Sequence, residues 1–219
     1  MRVGYGKGLV RQNGLNLIFI YAPNGAKGKE KAMEKRDYIE RILVDEKTID
    51  EITTRIAGQI DEAYASSKNR LLLLGILKGS VVFMGDLMKK ITLPVEIDFM
   101  KVSSYGSGTV SGGKVNIMLD LLRKDMRELD IIIIEDIVDS GRTLSYLVDY
   151  LKLNGASSVE CCTLLDKPSR RIPELKDFTP KFVGCEVPDE FVVGYGLDFD
   201  ERFRDLPYIG VLKPEVYEN

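Results

Sequence analysis

Apolar positions along the chain fall into two kinds of stretch. Over residues 47–66, Ile49, Ile52, Ile56, Ile60 and Ala63 recur at three- and four-residue steps, which makes one stripe on a helix. Asp45 stands where an N-cap belongs. Residues 71–77 and 131–134 are instead unbroken apolar runs, and such runs suit strands covered on both faces. Residues 95–102, 115–119, 159–165, 182–187 and 191–195 read as further strands. Lys78-Gly79-Ser80 interrupts the first run, after which residues 81–90 read as a helix. Residues 143–153 read as another helix, stopped by Asn154-Gly155. Four glycines and four serines within 103–114 predict a flexible loop. Strands alternating with helices predict an α/β domain with a central parallel sheet and helices on both faces.

Residues 1–32 sustain no such period and are punctuated by glycine, lysine and asparagine. They are expected to be a poorly ordered N-terminal extension, with the domain itself at 33–219. Hydrophobic residues at 44% allow that domain a sizeable core, and a net charge of −3 gives it no overall attraction for nucleic acid. The chain has three cysteines, Cys161 and Cys162 adjacent and Cys185 alone. This is no disulfide framework, and it fits a reducing cytoplasm. Histidine is absent, which excludes Ser-His and Cys-His catalysis and disfavours zinc. No apolar run approaches the roughly 20 residues of a membrane helix, and residues 15–22 lack a signal-peptide cleavage pattern. The expectation is a soluble intracellular protein with no membrane and no nucleic-acid partner.

The run 131–134 leads straight into Glu135 and Asp136. Carboxylates at the carboxyl end of a central strand lie where open α/β sheets bind ligands. They can hold Mg²⁺ through its waters or accept hydrogen bonds from sugar hydroxyls. Asp139-Ser140-Gly141-Arg142-Thr143 follows. Gly141 permits close backbone approach, Ser140 and Thr143 offer hydroxyls, and N–H groups opening the next helix form an anion cradle. Carboxylates followed by such a cradle suit a sugar phosphate. A charged turn with Asp139 as N-cap accounts for the same residues, and the local pattern leaves both readings open.

Residues 131–143 resemble the signature of the type I phosphoribosyltransferases, which bind phosphoribosyl pyrophosphate. The hydrophobic strand, Glu-Asp, two aliphatics, Asp, Ser-Gly and Thr stand in the family's order. Leu77-Lys78-Gly79-Ser80, Ser103-Ser104-Tyr105-Gly106, Leu165-Asp166-Lys167, the stretch from Phe191 to Asp198, and Phe203-Arg204-Asp205-Leu206 resemble its bacterial hypoxanthine (guanine) branch. The likeness runs from Tyr38 to Tyr217. It implies the type I fold, an α/β architecture whose central parallel sheet is flanked by helices and carries a small hood subdomain. It also implies transfer of phosphoribosyl to hypoxanthine or guanine, Mg²⁺ as cofactor, and a homodimer or homotetramer.

The resemblance further implies roles for individual residues. Asp139 is the catalytic base toward purine N7. Glu135 and Asp136 hold ribose hydroxyls and metal waters, and Ser140, Gly141, Arg142 and Thr143 hold the 5′-phosphate. Lys78, Gly79 and Arg204 bind pyrophosphate, with a cis peptide joining Leu77 to Lys78. Lys167 donates to the 6-oxygen, Phe191 stacks on the base, and the Val192 backbone reads its edge. Asp198 takes a second Mg²⁺ or a base amino group. Ser104 and Tyr105 open a mobile loop that closes over the reaction.

Each residue also has an ordinary reading. Lys78 can be a surface lysine in a tight turn, Lys167 an exposed lysine before proline, Phe191 a core residue and Arg204 an exposed ion-pair partner. A Lys167 donor favours a 6-oxopurine over adenine, and with Phe191-Val192 it argues against adenine and pyrimidines, while xanthine stays open. A regulator that senses phosphoribosyl pyrophosphate is the non-enzymatic reading. The net charge of −3 argues against its DNA-binding form.

Overall fold

The two unbroken apolar runs become neighbours at the centre of a sheet. The computed structural model describes residues 34–105 and 114–218. Within them the elements are β1 (Ile39–Val44), α1 (Glu46–Tyr64), β2 (Arg70–Ile76), α2 (Val81–Leu87), β3 (Val95–Tyr105), β4 (Lys114–Leu119), β5 (Leu129–Val138), α3 (Arg142–Leu153), β6 (Ser158–Asp166), β7 (Phe182–Glu186), β8 (Val192–Val193), β9 (Ile209–Leu212) and α4 (Pro214–Tyr217). Six strands form the main sheet in the order β4-β3-β2-β5-β6-β7. All its pairs are parallel except β3 with β4.

Alternation along β2 and β5 explains the two-sided burial. Leu71, Leu73, Ile132 and Ile134 pack with Ile56 and Ile60 of α1 and Phe83 and Leu87 of α2. Leu72, Leu74, Ile131 and Ile133 pack with Leu144, Leu147 and Leu151 of α3. Each such side chain contributes about 1.5–3 kcal/mol by leaving water. Asp45 caps α1 as expected, accepting from the Thr48 N–H at 2.8 Å. Cys161 and Cys162 are buried on opposite faces and act as packing residues.

Several expectations need correcting. The glycine-serine loop begins later than its composition predicts. Ser103, Ser104 and Tyr105 continue β3, because their backbones pair with Asn116, Val115 and Lys114, and ladder hydrogen bonds outweigh side-chain preference there. The rest of that loop, 106–113, and the N-terminal extension lie outside the described residues. Helix α2 ends at Leu87 rather than Lys90, since the Lys90 N–H donates to the Leu87 carbonyl at 3.0 Å in a tighter turn instead of continuing the helix ladder. The strand expected at 191–195 shrinks to Val192–Val193 and leaves the main sheet. It joins β9 and β1 in a separate antiparallel sheet, order β1-β9-β8. Neither β1 nor β9 was anticipated, because each is short and takes its register from the other end of the chain, Ile39 opposite Leu212. This second sheet is the hood.

Candidate active site

The chain leaves β2 for β3 on one side and leaves β5 for β6 on the other, so winding reverses between β2 and β5. A crevice opens at such a switch point, outside the carboxyl ends of the strands. The β2–β5 ladder stops at Gly75 opposite Ile134. Beyond it, the chain after β2 turns away through the Leu77–Lys78 bond, which is cis as the family resemblance implies. β5 continues beside β6 as far as Val138 opposite Asp166. Glu135 and Asp136 therefore lie inside β5, not at its end, on a stretch that has lost one neighbour. Gly79 fills the gap. A Cβ there would sit 1.6 Å from Asp136 Oδ2, and a Cβ on Gly196 (φ 103°) would sit 2.0 Å from the Gly79 carbonyl oxygen. Strand, turn and hood meet because both positions lack a side chain.

Glu135 Oε2 is buried and has no hydrogen-bond partner among the described residues. Burial, reinforced by the neighbouring Asp136 charge, pushes the Glu135 carboxyl well above the usual carboxylate range. Burial also pushes Asp136 up to about 6, against the opposing pull of the Ile137 N–H and Arg204. The folded chain thus holds these protons to higher pH than the unfolded chain does. Stability should fall as pH rises from about 4 through about 6 as Asp136 ionises, and Glu135 carries the fall on to higher pH. Asp136→Asn removes the penalty while keeping an acceptor for the Ile137 N–H, which now reaches Asp136 Oδ1 at 2.9 Å. In urea unfolding it should be more stable than the parent at pH 8, by roughly 1–3 kcal/mol, and equal to it at pH 4. A variant no more stable at pH 8 would rule out the buried-carboxylate account.

The Asp139–Thr143 turn bends sharply at Gly141 (φ 81°), which is the N-cap of α3. Asp139 is not that cap, so the charged-turn reading fails in that form. Ser140 Oγ accepts from the Arg142 N–H at 3.4 Å, and the amino end of α3, with Arg142 and Thr143 in its first turn, faces out beside Asp139. Asp139 itself is 51% exposed, with Lys167 Nζ at 4.0 Å. Lys167 is buried, not exposed, and donates to the Glu190 carbonyl at 2.7 Å. That bond sets it next to Phe191. Phe191 is partly exposed rather than core, stacked on Tyr217 (5.0 Å, 22°) and edge-on to Phe199. Val192 is buried opposite Val211.

On the other side of the crevice, both oxygens of Glu201 lie 2.9 Å from Lys78 Nζ. Arg204 Nη2 stands 2.8 Å from Asp198 and 3.4 Å from Glu201, and Nη1 donates to the Gly196 carbonyl at 2.8 Å. One carboxylate thus bridges two cations. Asp198, named with Glu135 and Asp136 as a metal residue, is taken by Arg204. Among the described residues no three acidic, His or Cys side chains form a metal cage. Glu201, Tyr217 and Arg171, whose Nη1 donates to the Asp139 carbonyl, touch residues of this crevice although sequence reasoning did not single them out. The only advance signal for Glu201 was its charge within the Asp198–Arg204 segment.

The phosphoribosyl transferase domain family matches residues 42–200. The chain is 50% identical over 187 residues to the hypoxanthine-guanine phosphoribosyltransferase of Bacillus subtilis (strain 168), covering 85% of this chain and 100% of that one. It is 49% identical over 179 residues to the bifunctional protein TilS/HprT of Listeria monocytogenes serotype 4b (strain F2365), covering 82% of this chain and 27% of that protein. A crystal structure of a hypoxanthine phosphoribosyltransferase from Staphylococcus aureus superposes with a TM-score of 0.78 at 45% identity, covering 87% of this chain and all of the other. With the signature turn at a switch-point crevice and these matches covering most of the chain, the chain belongs to the phosphoribosyltransferase domain family, in its hypoxanthine-guanine phosphoribosyltransferase branch.

Proposed function

We propose that the chain transfers the 5-phosphoribosyl group of phosphoribosyl pyrophosphate to N9 of hypoxanthine or guanine, giving IMP or GMP and pyrophosphate. The observation that carries this reading is Lys167. It is buried, 4.0 Å from Asp139, and tied to the carbonyl just before Phe191, so a general base, a 6-oxygen donor and a base-stacking ring share one wall. The transferase domain is assigned to residues 33–219. Its three cysteines are free, and we assign a cytoplasmic setting on that basis. Among the described residues no helix is long and apolar enough to cross a membrane.

In the reaction the bond from C1′ to the pyrophosphate oxygen breaks and its electron pair leaves with pyrophosphate. N9 supplies the pair for the new bond, and Asp139 accepts the proton from N7. Lys78 and Arg204 meet the leaving charge, which takes over the place Glu201 now fills between them. The α3 amino end, with Ser140, Gly141, Arg142 and Thr143, holds the 5′-phosphate. Glu135 and Asp136 accept from the ribose hydroxyls, which would give Glu135 Oε2 the partner it lacks. The same partly buried carboxylate pair would hold Mg²⁺, with no protein cage among the described residues to do so alone. Bound there, magnesium would neutralise charge on the leaving group.

Two measurements test the reading. A panel of purine bases with phosphoribosyl pyrophosphate and Mg²⁺ should yield nucleotide from hypoxanthine and guanine, and no product with any purine overturns it. Lys167→Ala should cut kcat/KM for hypoxanthine by about 10–100-fold, the worth of one charged hydrogen bond, and should narrow the preference over adenine. Unaltered purine selectivity would remove Lys167 from the base pocket.

A further inference from the structure

We propose that Arg171 is a positioning residue that locks the catalytic base and the purine-reading lysine into one frame. The inference rests on the proposed roles of Asp139 and Lys167. Arg171 follows the short 3₁₀ turn Pro168–Arg170, and its side chain folds back beneath the carboxyl ends of β5 and β6, only 3% exposed. Its guanidinium lies within hydrogen-bonding range of five acceptors. Nη1 reaches the Val138 carbonyl at 3.1 Å, the Asp139 carbonyl at 2.5 Å and the Lys167 carbonyl at 3.5 Å. Nε reaches the Phe178 carbonyl at 3.2 Å. Nη2 pairs with the carboxylate of Asp166, itself buried.

The need for such a clamp follows from what Asp139 lacks. β5 ends at Val138, so the Asp139 carbonyl lies past the ladder and must find another partner. The Asp139 side chain is half exposed with Lys167 at 4.0 Å, so its own packing does not hold it. Arg171 instead fixes the backbone on which it stands. The same Nη1 also lies 3.5 Å from the Lys167 carbonyl, and the Lys167 N–H donates to the Val138 carbonyl at 2.9 Å, so base and reader share one frame. Only the Arg171 stem lies alongside the Gly141 turn, and that turn is tied here through the backbone of Ile172. A Cβ on Gly141 would lie 3.4 Å from Arg171 Cδ, and the Ile172 N–H donates to the Ser140 carbonyl at 3.5 Å. A planar, permanently charged fork can serve this many acceptors at fixed angles, whereas an ammonium can keep the charge but not the geometry.

The test compares the parent with Arg171→Lys and Arg171→Gln. Parent activity on hypoxanthine is measured alongside, so that a parent making no IMP refutes the proposed function and not only this inference. Two ratios are read, each independent of the folded fraction: the ratio of IMP to AMP dissociation constants by calorimetry, and the KM for hypoxanthine relative to that for phosphoribosyl pyrophosphate. For Arg171→Lys, nucleotide selectivity is expected to fall about tenfold, and hypoxanthine KM to rise several-fold while phosphoribosyl pyrophosphate KM stays within about twofold. Arg171→Gln should fall further in both. If either folded variant loses rate with both ratios unchanged, Arg171 is a structural residue and the proposal fails. Failure of both variants to fold overturns it in the same way.

Discussion

Asp139→Ala is expected to lower kcat for IMP formation by about 10²–10⁴-fold, the usual worth of a positioned general base. The fold should survive. The side chain is 51% exposed, and its ion pair with Lys167 spans 4.0 Å, so the change removes little packing and should leave unfolding free energy within about 0.5 kcal/mol. The loss should fall on kcat with little change in affinity for phosphoribosyl pyrophosphate, because the 5′-phosphate cradle belongs to backbone beyond Asp139. Steady-state kinetics and a urea curve on one preparation separate these terms. Unchanged turnover would move the base elsewhere in the crevice. A large loss of stability would make Asp139 a structural residue instead.

Gly79→Ala should cost about as much activity by another route. The new Cβ would fall 1.6 Å from Asp136 Oδ2, closer than any two such atoms can approach, so the turn or the strand has to shift. Shifts of about 1 Å near reacting groups cost about 10²-fold in rate, and overpacking costs about 1–3 kcal/mol of stability. The hood side offers no relief, since Gly196 already abuts the Gly79 carbonyl. Asp139→Ala and Gly79→Ala should therefore differ in kind: the second lowers both the thermal midpoint and affinity for phosphoribosyl pyrophosphate, because it separates Lys78 from the carboxylate pair. A Gly79→Ala enzyme with parental KM and midpoint would contradict the close approach.

Much of the main sheet was legible from hydrophobic patterning, for a physical reason. Strands buried on both faces must be apolar throughout, and 71–76 and 131–134 are. The stripe Ile49, Ile52, Ile56, Ile60 marked α1 as plainly. The hood was not legible in this way. Patterning marked β8 as a strand but not its sheet, and β1 and β9 pair residues from opposite ends of the domain, Ile39 with Leu212. No local period announces such a contact. Only the family resemblance pointed to a hood at all.

The carboxylates and turn of residues 135–143 show where the two sources part. Residue order alone marked out a strand, two carboxylates, an aspartate and a glycine turn, because local chemistry depends on neighbours in sequence. It could not tell that β5 runs on past Glu135 and Asp136, that β2 deserts it there, or that Gly79 closes the gap. Nor could it tell that Glu201 bridges Lys78 and Arg204, or that Arg171 holds the Asp139 and Lys167 carbonyls together. Those relations are made by strand register and burial, which bring distant segments within hydrogen-bonding range. The sequence determined which chemical groups this protein has to work with, and the tertiary structure decided which are buried, which are paired, and which face one another across the crevice.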